Sequence, residues 1–145
     1  MKTKLILLLI FAVFSLSSCQ QAPEKQAPAQ AMSVESPKSD KGMIKVSILY
    51  PTGEGKTFDM DYYSQKHMPM VAELLGDALK KLKIDKGIGG RLPEDPIPYF
   101  AIGYLYFDKL SDYQEAFGPV AGQITGDIPN YTNVQPLIQI SEVVE

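Results

Sequence analysis

Cysteine occurs once in 145 residues, at Cys19, histidine once, at His67, and tryptophan not at all. A single cysteine excludes an internal disulfide and a Cys-x-x-Cys redox pair. With one histidine beside it, the usual Cys/His ligand sets for zinc are not available, and no metal site is expected. Positive charge is scarce too. Lysine and arginine number 14 against 17 acidic residues, for a formal charge of −3, and no segment forms a basic stripe. Such a chain does not attract phosphate backbones, so nucleic acid is not an expected partner. There is no Gly-x-Ser-x-Gly nucleophile elbow. Gly87-Ile88-Gly89-Gly90 is followed by Pro93, Pro96 and Pro98 rather than by a helix, which rules out a dinucleotide fingerprint. No motif calls for a nicotinamide, a flavin or any other cofactor.

What is present begins with a short positive start, Lys2 and Lys4, then an apolar run over residues 5–14, then small residues up to Cys19. This is the anatomy of a secretory signal. Ten apolar residues are too few to cross a hydrocarbon core as a helix, which takes roughly 20. Leu16-Ser17-Ser18-Cys19 resembles the lipobox of bacterial lipoproteins. That resemblance implies cleavage after residue 18, lipidation of Cys19, and a place in the cell envelope held by several acyl chains. Gln20 in place of Asp implies passage to the outer membrane. Residues 20–42 contain no aromatic residue and are rich in Gln, Ala, Pro, Ser and Lys. They cannot bury enough apolar surface to offset ordering, and read as a flexible tether spanning roughly 25–30 Å.

Residues 43–145 read as one α+β domain. Ile44, Val46, Ile48 and Tyr50 alternate along a first strand over 44–50. Asp59 is placed to cap a helix beginning at Met60. Pro69 should bend or restart that helix, and Gly76 should end it. Residues 80–86 form a lysine-rich second strand of edge type, with Leu82 and Ile84 inward. Residues 99–107 form a third strand without a polar face. A second helix over 110–124, capped by Ser111 and kinked at Gly118-Pro119, precedes a last strand over 134–144. The order β-α-β-β-α-β is the ferredoxin-like arrangement with an antiparallel sheet. Its two helices cover one face, whereas the third strand asks for cover on both. A second copy of the chain is the simplest cover, which predicts a homodimer with facing sheets.

Two stretches carry the chemistry. One is Phe58-Asp59-Met60-Asp61-Tyr62-Tyr63-Ser64-Gln65-Lys66-His67-Met68-Pro69, the other Asp127-Ile128-Pro129-Asn130-Tyr131-Thr132-Asn133. His67 lies four residues after Tyr63, on the same helix face. A tyrosine hydroxyl there could fix the imidazole as a general acid or base; alternatively His67 holds a bent helix to a neighbouring loop. Asn130, Tyr131 and Asn133 either orient a ligand or form a turn with Tyr131 as a plug. Tyr104 and Tyr106 share a face with Phe100 and Ile102, as core or as ligand contacts inside a barrel. With these two stretches, residues 43–145 resemble the EthD family. The resemblance implies a dimeric α+β barrel that binds a small, mainly apolar molecule in its interior. His67 and Tyr63 would be its catalytic pair and Asn130, Tyr131, Tyr104 and Tyr106 its ligand contacts. Members are often called reductases, and the wider superfamily includes monooxygenases, isomerases and haem enzymes, so oxidoreductase chemistry and haem ligation by His67 are further implications. A non-enzymatic binding or assembly module at the envelope is the alternative.

Overall fold

The computed structural model describes residues 39–145. The signal, Cys19 and most of the tether lie outside the described residues. The last four tether positions already belong to the domain. The amide of Gly42 donates to the Val143 carbonyl at 2.7 Å, and Lys81 pairs with Asp40 at 2.5 Å.

Four strands, β1 (Ile44–Pro51), β2 (Lys81–Lys86), β3 (Tyr99–Phe107) and β4 (Leu137–Glu142), form one antiparallel sheet in the order β2-β3-β1-β4. This is the ferredoxin-like fold expected from the element order. Ile44, Val46, Ile48 and Tyr50 pair with Phe107, Leu105, Gly103 and Ala101. Because side chains alternate across a strand, that set shares the face beneath the helices. Leu82 and Ile84 of β2, and Ile138 and Ile140 of β4, register onto the same face. The fourth strand starts three residues later than the apolar run suggests. Pro136 has no amide to donate, so pairing begins after it.

The first helical segment is broken into registers. Asp59 caps it as expected, its carboxylate accepting from the Tyr62 amide at 2.9 Å. After α1 (Met60–Tyr62) the chain widens into a π turn, Tyr63–His67, and then continues as α2 (Met68–Leu75). Pro69 explains the switch. It cannot donate to a carbonyl one turn back, and the Met68 amide reaches Tyr63 instead. Gly76, with φ of 52°, turns the chain out of the helix.

The second long helix, α3 (Leu110–Gly126), starts at Leu110 and runs through Pro119. Ser111 therefore lies inside the first turn and does not cap; the N-cap position is Lys109, with no side-chain bond. No helix among the described residues is long and apolar enough to cross a membrane.

The sheet's other face is partly covered by this chain itself. Lys81 lies over the Tyr106 ring at 5.3 Å and Lys45 over Tyr104 at 5.7 Å. It is the ammonium groups that lie over the rings, and that of Lys81 is also paired with Asp40. Tyr106 is thereby 8% exposed, whereas Ile102 and Tyr104 stay half-buried; Phe100, beside the register shift at Tyr50/Pro51, stacks instead on Phe58 of the core. On β4, an edge strand, Leu137, Ile138 and Ile140 are about half exposed.

Candidate functional site

His67 ends the π turn and is buried. The widened turn brings it against the segment after α3, where a 3₁₀ turn, Ile128–Asn130, carries the chain from Asp127 to Tyr131. Its Nδ1 lies 2.8 Å from Oδ2 of Asp127, and its Nε2 lies 3.3 Å from the Tyr131 hydroxyl. The Tyr131 hydroxyl is in turn 2.7 Å from that of Tyr50 on β1. An ionised carboxylate only accepts, so Nδ1 carries the proton and donates to Asp127. Nε2 is then the bare nitrogen and takes the Tyr131 O–H, which leaves the Tyr131 oxygen to accept from Tyr50. Three segments thus supply one hydrogen-bonded line, Tyr50–Tyr131–His67–Asp127.

The charge states follow from burial and partners. Burial pushes the His67 pKa below its ordinary 6.5, outweighing the pull of the Asp127 carboxylate in the other direction. Asp127 is held below the ordinary carboxylate value. Burial alone would raise it, but hydrogen bonds from His67, from the Asn130 amide at 2.7 Å and from the Tyr62 hydroxyl at 3.0 Å together win. Burial raises Tyr50, Tyr63 and Tyr131, so all three remain phenols at neutral pH.

The line borders a cavity of about 430 Å³ between the helical face of the sheet and helices α2 and α3. That volume is in the range that small-molecule sites occupy. Val46, Val71, Leu105, Phe117 and Ile124 make much of its wall, with His67, Tyr50 and Tyr63 at one end. Among the described residues none that lines it carries a formal charge when His67 is neutral. Thr125, also on the wall, gives its hydroxyl to the Ala121 carbonyl.

The expected site residues separate accordingly. His67, Tyr63 and Tyr131 come together, but Tyr63 does not bond the imidazole. It stacks on it, with ring centres 5.7 Å apart and planes 18° from parallel, and its buried hydroxyl has no hydrogen-bond partner. Tyr131 takes the role expected of Tyr63. Asn130 donates its side-chain amide to Asp127. Asn133 clasps the turn after β1, accepting from the Thr57 amide at 2.8 Å and donating to the Gly55 carbonyl at 2.9 Å. Tyr104 and Tyr106 point from the opposite face and do not line the cavity, because helix-facing positions on β3 are the odd-numbered ones. The cavity is accordingly on the helical side of the sheet.

Two members of the line, Asp127 and Tyr50, were not picked out from sequence. Asp127 opens the second motif as its one acidic residue, which was a usable signal. Tyr50 reads only as the last inward residue of a strand. Haem does not fit this arrangement. An axial bond would need Nε2, and the Tyr131 ring lies 4.6 Å from the imidazole with its hydroxyl on that nitrogen. Among the described residues no cluster of three or more His, Cys, Asp or Glu side chains could hold a metal ion.

A βαββαβ fold with a buried histidine, paired to a part-buried aspartate, beside an apolar cavity defines a ferredoxin-like α+β domain built around a small-molecule-sized space. The family model of the EthD domain matches residues 52–135, which include His67, Asp127 and Tyr131, and the chain belongs to the EthD family. An EthD-like protein from Ralstonia eutropha JMP134, solved by crystallography, is 40% identical, with a TM-score of 0.69 over 72% of this chain and 95% of that one. An ethyl tert-butyl ether degradation (EthD) family protein from Bacillus halodurans C-125 shares the fold at 20% identity, with a TM-score of 0.50 over 69% of this chain and 97% of that one. No curated protein matches the chain.

Proposed function

We propose that this EthD-family domain binds a small, uncharged, mainly apolar molecule in the cavity between sheet and helices, with acid–base chemistry at His67. The observation that carries the reading is the cavity wall, apolar and without formal charge apart from one titratable imidazole. A ligand with a permanent charge would lose its hydration there and find no fixed opposite charge. Tetralin, a neutral bicyclic hydrocarbon, tests this by NMR. It should shift the amides of Val71, Phe117 and Ile124, and the naphthoate anion should bind at least about tenfold more weakly. Shifts confined to Ile102 and Tyr104 would move the ligand site to the other face of the sheet. A second reading, a binding module without catalysis, draws support from the engagement of both His67 nitrogens within the protein.

The domain is proposed to work as a homodimer tethered to the bacterial envelope, at the outer membrane, through lipid on Cys19. The lipobox-like sequence supports the anchor. The half-buried apolar strip on β3 and the exposed Leu137, which registers onto the same face, support the dimer. One variant addresses both. Cys19→Ala should leave the membrane fraction, and the released protein should sediment at twice the chain mass. Retention on the membrane would sink the anchor, and a monomer at low micromolar concentration would sink the dimer.

A further inference from the structure

The Tyr50–Tyr131–His67–Asp127 line has two different ends. Tyr50 lines the cavity, and Asp127 has a side chain 16% exposed at the surface. Between them every contact is a hydrogen bond along which a proton can move, at 2.7, 3.3 and 2.8 Å. No nucleophile is poised beside it, since Thr125 on the wall is bonded to the Ala121 carbonyl. Such a line moves protons and forms no covalent bond to a ligand.

We propose that this line is a proton path and that the cavity takes a neutral, enolisable carbonyl compound, whose keto–enolate interconversion the path catalyses. The proposal rests on the cavity being the ligand site. In the forward step a proton leaves the carbon next to the carbonyl for the Tyr50 oxygen. Tyr50 passes its own proton to the Tyr131 oxygen, and Tyr131 passes its own to Nε2 of His67. The C–H electron pair becomes the C=C bond of the enolate, and the carbonyl π pair moves onto oxygen. The imidazolium so formed is held by Asp127, a positioning residue that already takes its Nδ1–H. Reversal returns a proton to the same carbon, so no oxidant, reductant or co-reactant is consumed. Strict reversal returns the proton that Tyr50 took, so deuterium enters when the Tyr50 hydroxyl exchanges with solvent in the cavity before the return. Asp127, 16% exposed, lets the imidazolium exchange its Nδ1 proton with water as well. The wall accommodates the enolate oxygen with uncharged donors only, Tyr113 and Gln135 among its lining residues.

The test is solvent exchange. β-Tetralone, a neutral bicyclic ketone with acidic C–H bonds, is incubated with the protein in D₂O, and deuterium entering beside the carbonyl is followed by NMR. The native chain should accelerate exchange over buffer and over an equal concentration of free imidazole. Tyr131→Phe keeps the ring and cuts the path. It should leave tetralone binding within about threefold while exchange falls roughly 100-fold, the size of a general acid–base contribution. The pH profile separates positioning from packing. The titratable groups facing His67 are Asp127 and Tyr131 from the segment after α3, Tyr50 from β1 and Tyr63 on its own turn. Exchange should rise with pH as the imidazole loses its proton, at a pH below 6.5. Because the carboxylate favours the imidazolium, Asp127→Asn should move that rise to lower pH. Tetralin and tetralone bound, with no acceleration of exchange, would overturn the proton path and leave the cavity reading standing. Neither bound would overturn both, and exchange unchanged in Tyr131→Phe would overturn the path alone.

Discussion

Gly103→Ala is expected to destabilise the domain by about 2–3 kcal/mol, a fall in melting temperature of roughly 10–20 °C for a domain of this size. Gly103 sits mid-strand on β3 and faces the helices, where a glycine weakens a strand unless something needs the space. A Cβ there would stand 2.3 Å from the Tyr63 hydroxyl, 3.2 Å from Met68 Cε and 3.6 Å from Ile48 Cδ1. The phenol rests on the bare backbone, and this close approach seats the π turn against the sheet. Tyr63 cannot give way easily, because its ring is wedged among Tyr50, Phe58 and Tyr131, each with its centre 5.1 to 5.3 Å away. The same hydroxyl is buried without a partner, which costs free energy in the native protein. Tyr63→Phe alone should therefore be neutral or stabilising by up to about 1 kcal/mol. In the Gly103→Ala background it should recover more than that, since it deletes the atom that clashes. Thermal unfolding of the four proteins gives the coupling, expected at about 1 kcal/mol or more. Additive effects would show that the strand and the turn do not meet as described.

The legible and illegible parts of the molecule divide along physical lines. Period-two alternation placed Ile44, Val46, Ile48 and Tyr50 on one face, and Asp59, Pro69 and Gly76 marked the start, break and end of the first helix, because each acts through its own backbone. The ends set by competition were missed. Ser111 is a good cap by type, yet the helix begins one residue before it. Residues 134–136 are apolar enough for a strand, yet Pro136 cannot pair. The site was half legible for the same reason. His67 stood out as the sole histidine, and its spacing from Tyr63 implied contact. Spacing gives proximity along one helix, however, and says nothing of partners 60 or more residues away. Asp127 and Tyr131 reach His67 across that distance, and a stacked Tyr63 satisfies the same spacing as a bonded one. Tyr104 and Tyr106 were placed on a common face correctly. Which face holds the cavity depends on how α2 and α3 splay over the sheet, and no local pattern encodes that.

The pH dependence of stability puts the charge states at the site to the test. His67 is the only histidine, so in the pH range where imidazoles titrate one side chain dominates the stability slope. The unfolded chain takes up a proton at His67 near its ordinary pKa of 6.5, whereas the buried, folded imidazole does so only at lower pH. Acid therefore favours unfolding between those two values, and stability should be level above about pH 7 and fall below it, at up to about 1.4 kcal/mol per pH unit. A second fall should come below pH 3.8. There the folded Asp127 keeps its charge, and with it the bonds from His67, Asn130 and Tyr62, while the unfolded carboxyl is already protonated. His67→Gln should remove the first fall and retain the second. Asp127→Ala should cost about 2 kcal/mol at pH 8, because it leaves a buried Nδ1–H without its acceptor. It should also extend the first fall to lower pH, since the carboxylate no longer supports the imidazolium. Urea unfolding from pH 5 to pH 8 reads the first fall directly. A wild-type curve that is level across that range would mean that the folded and unfolded imidazoles take up their proton at the same pH, and the lowering assigned to burial would be wrong.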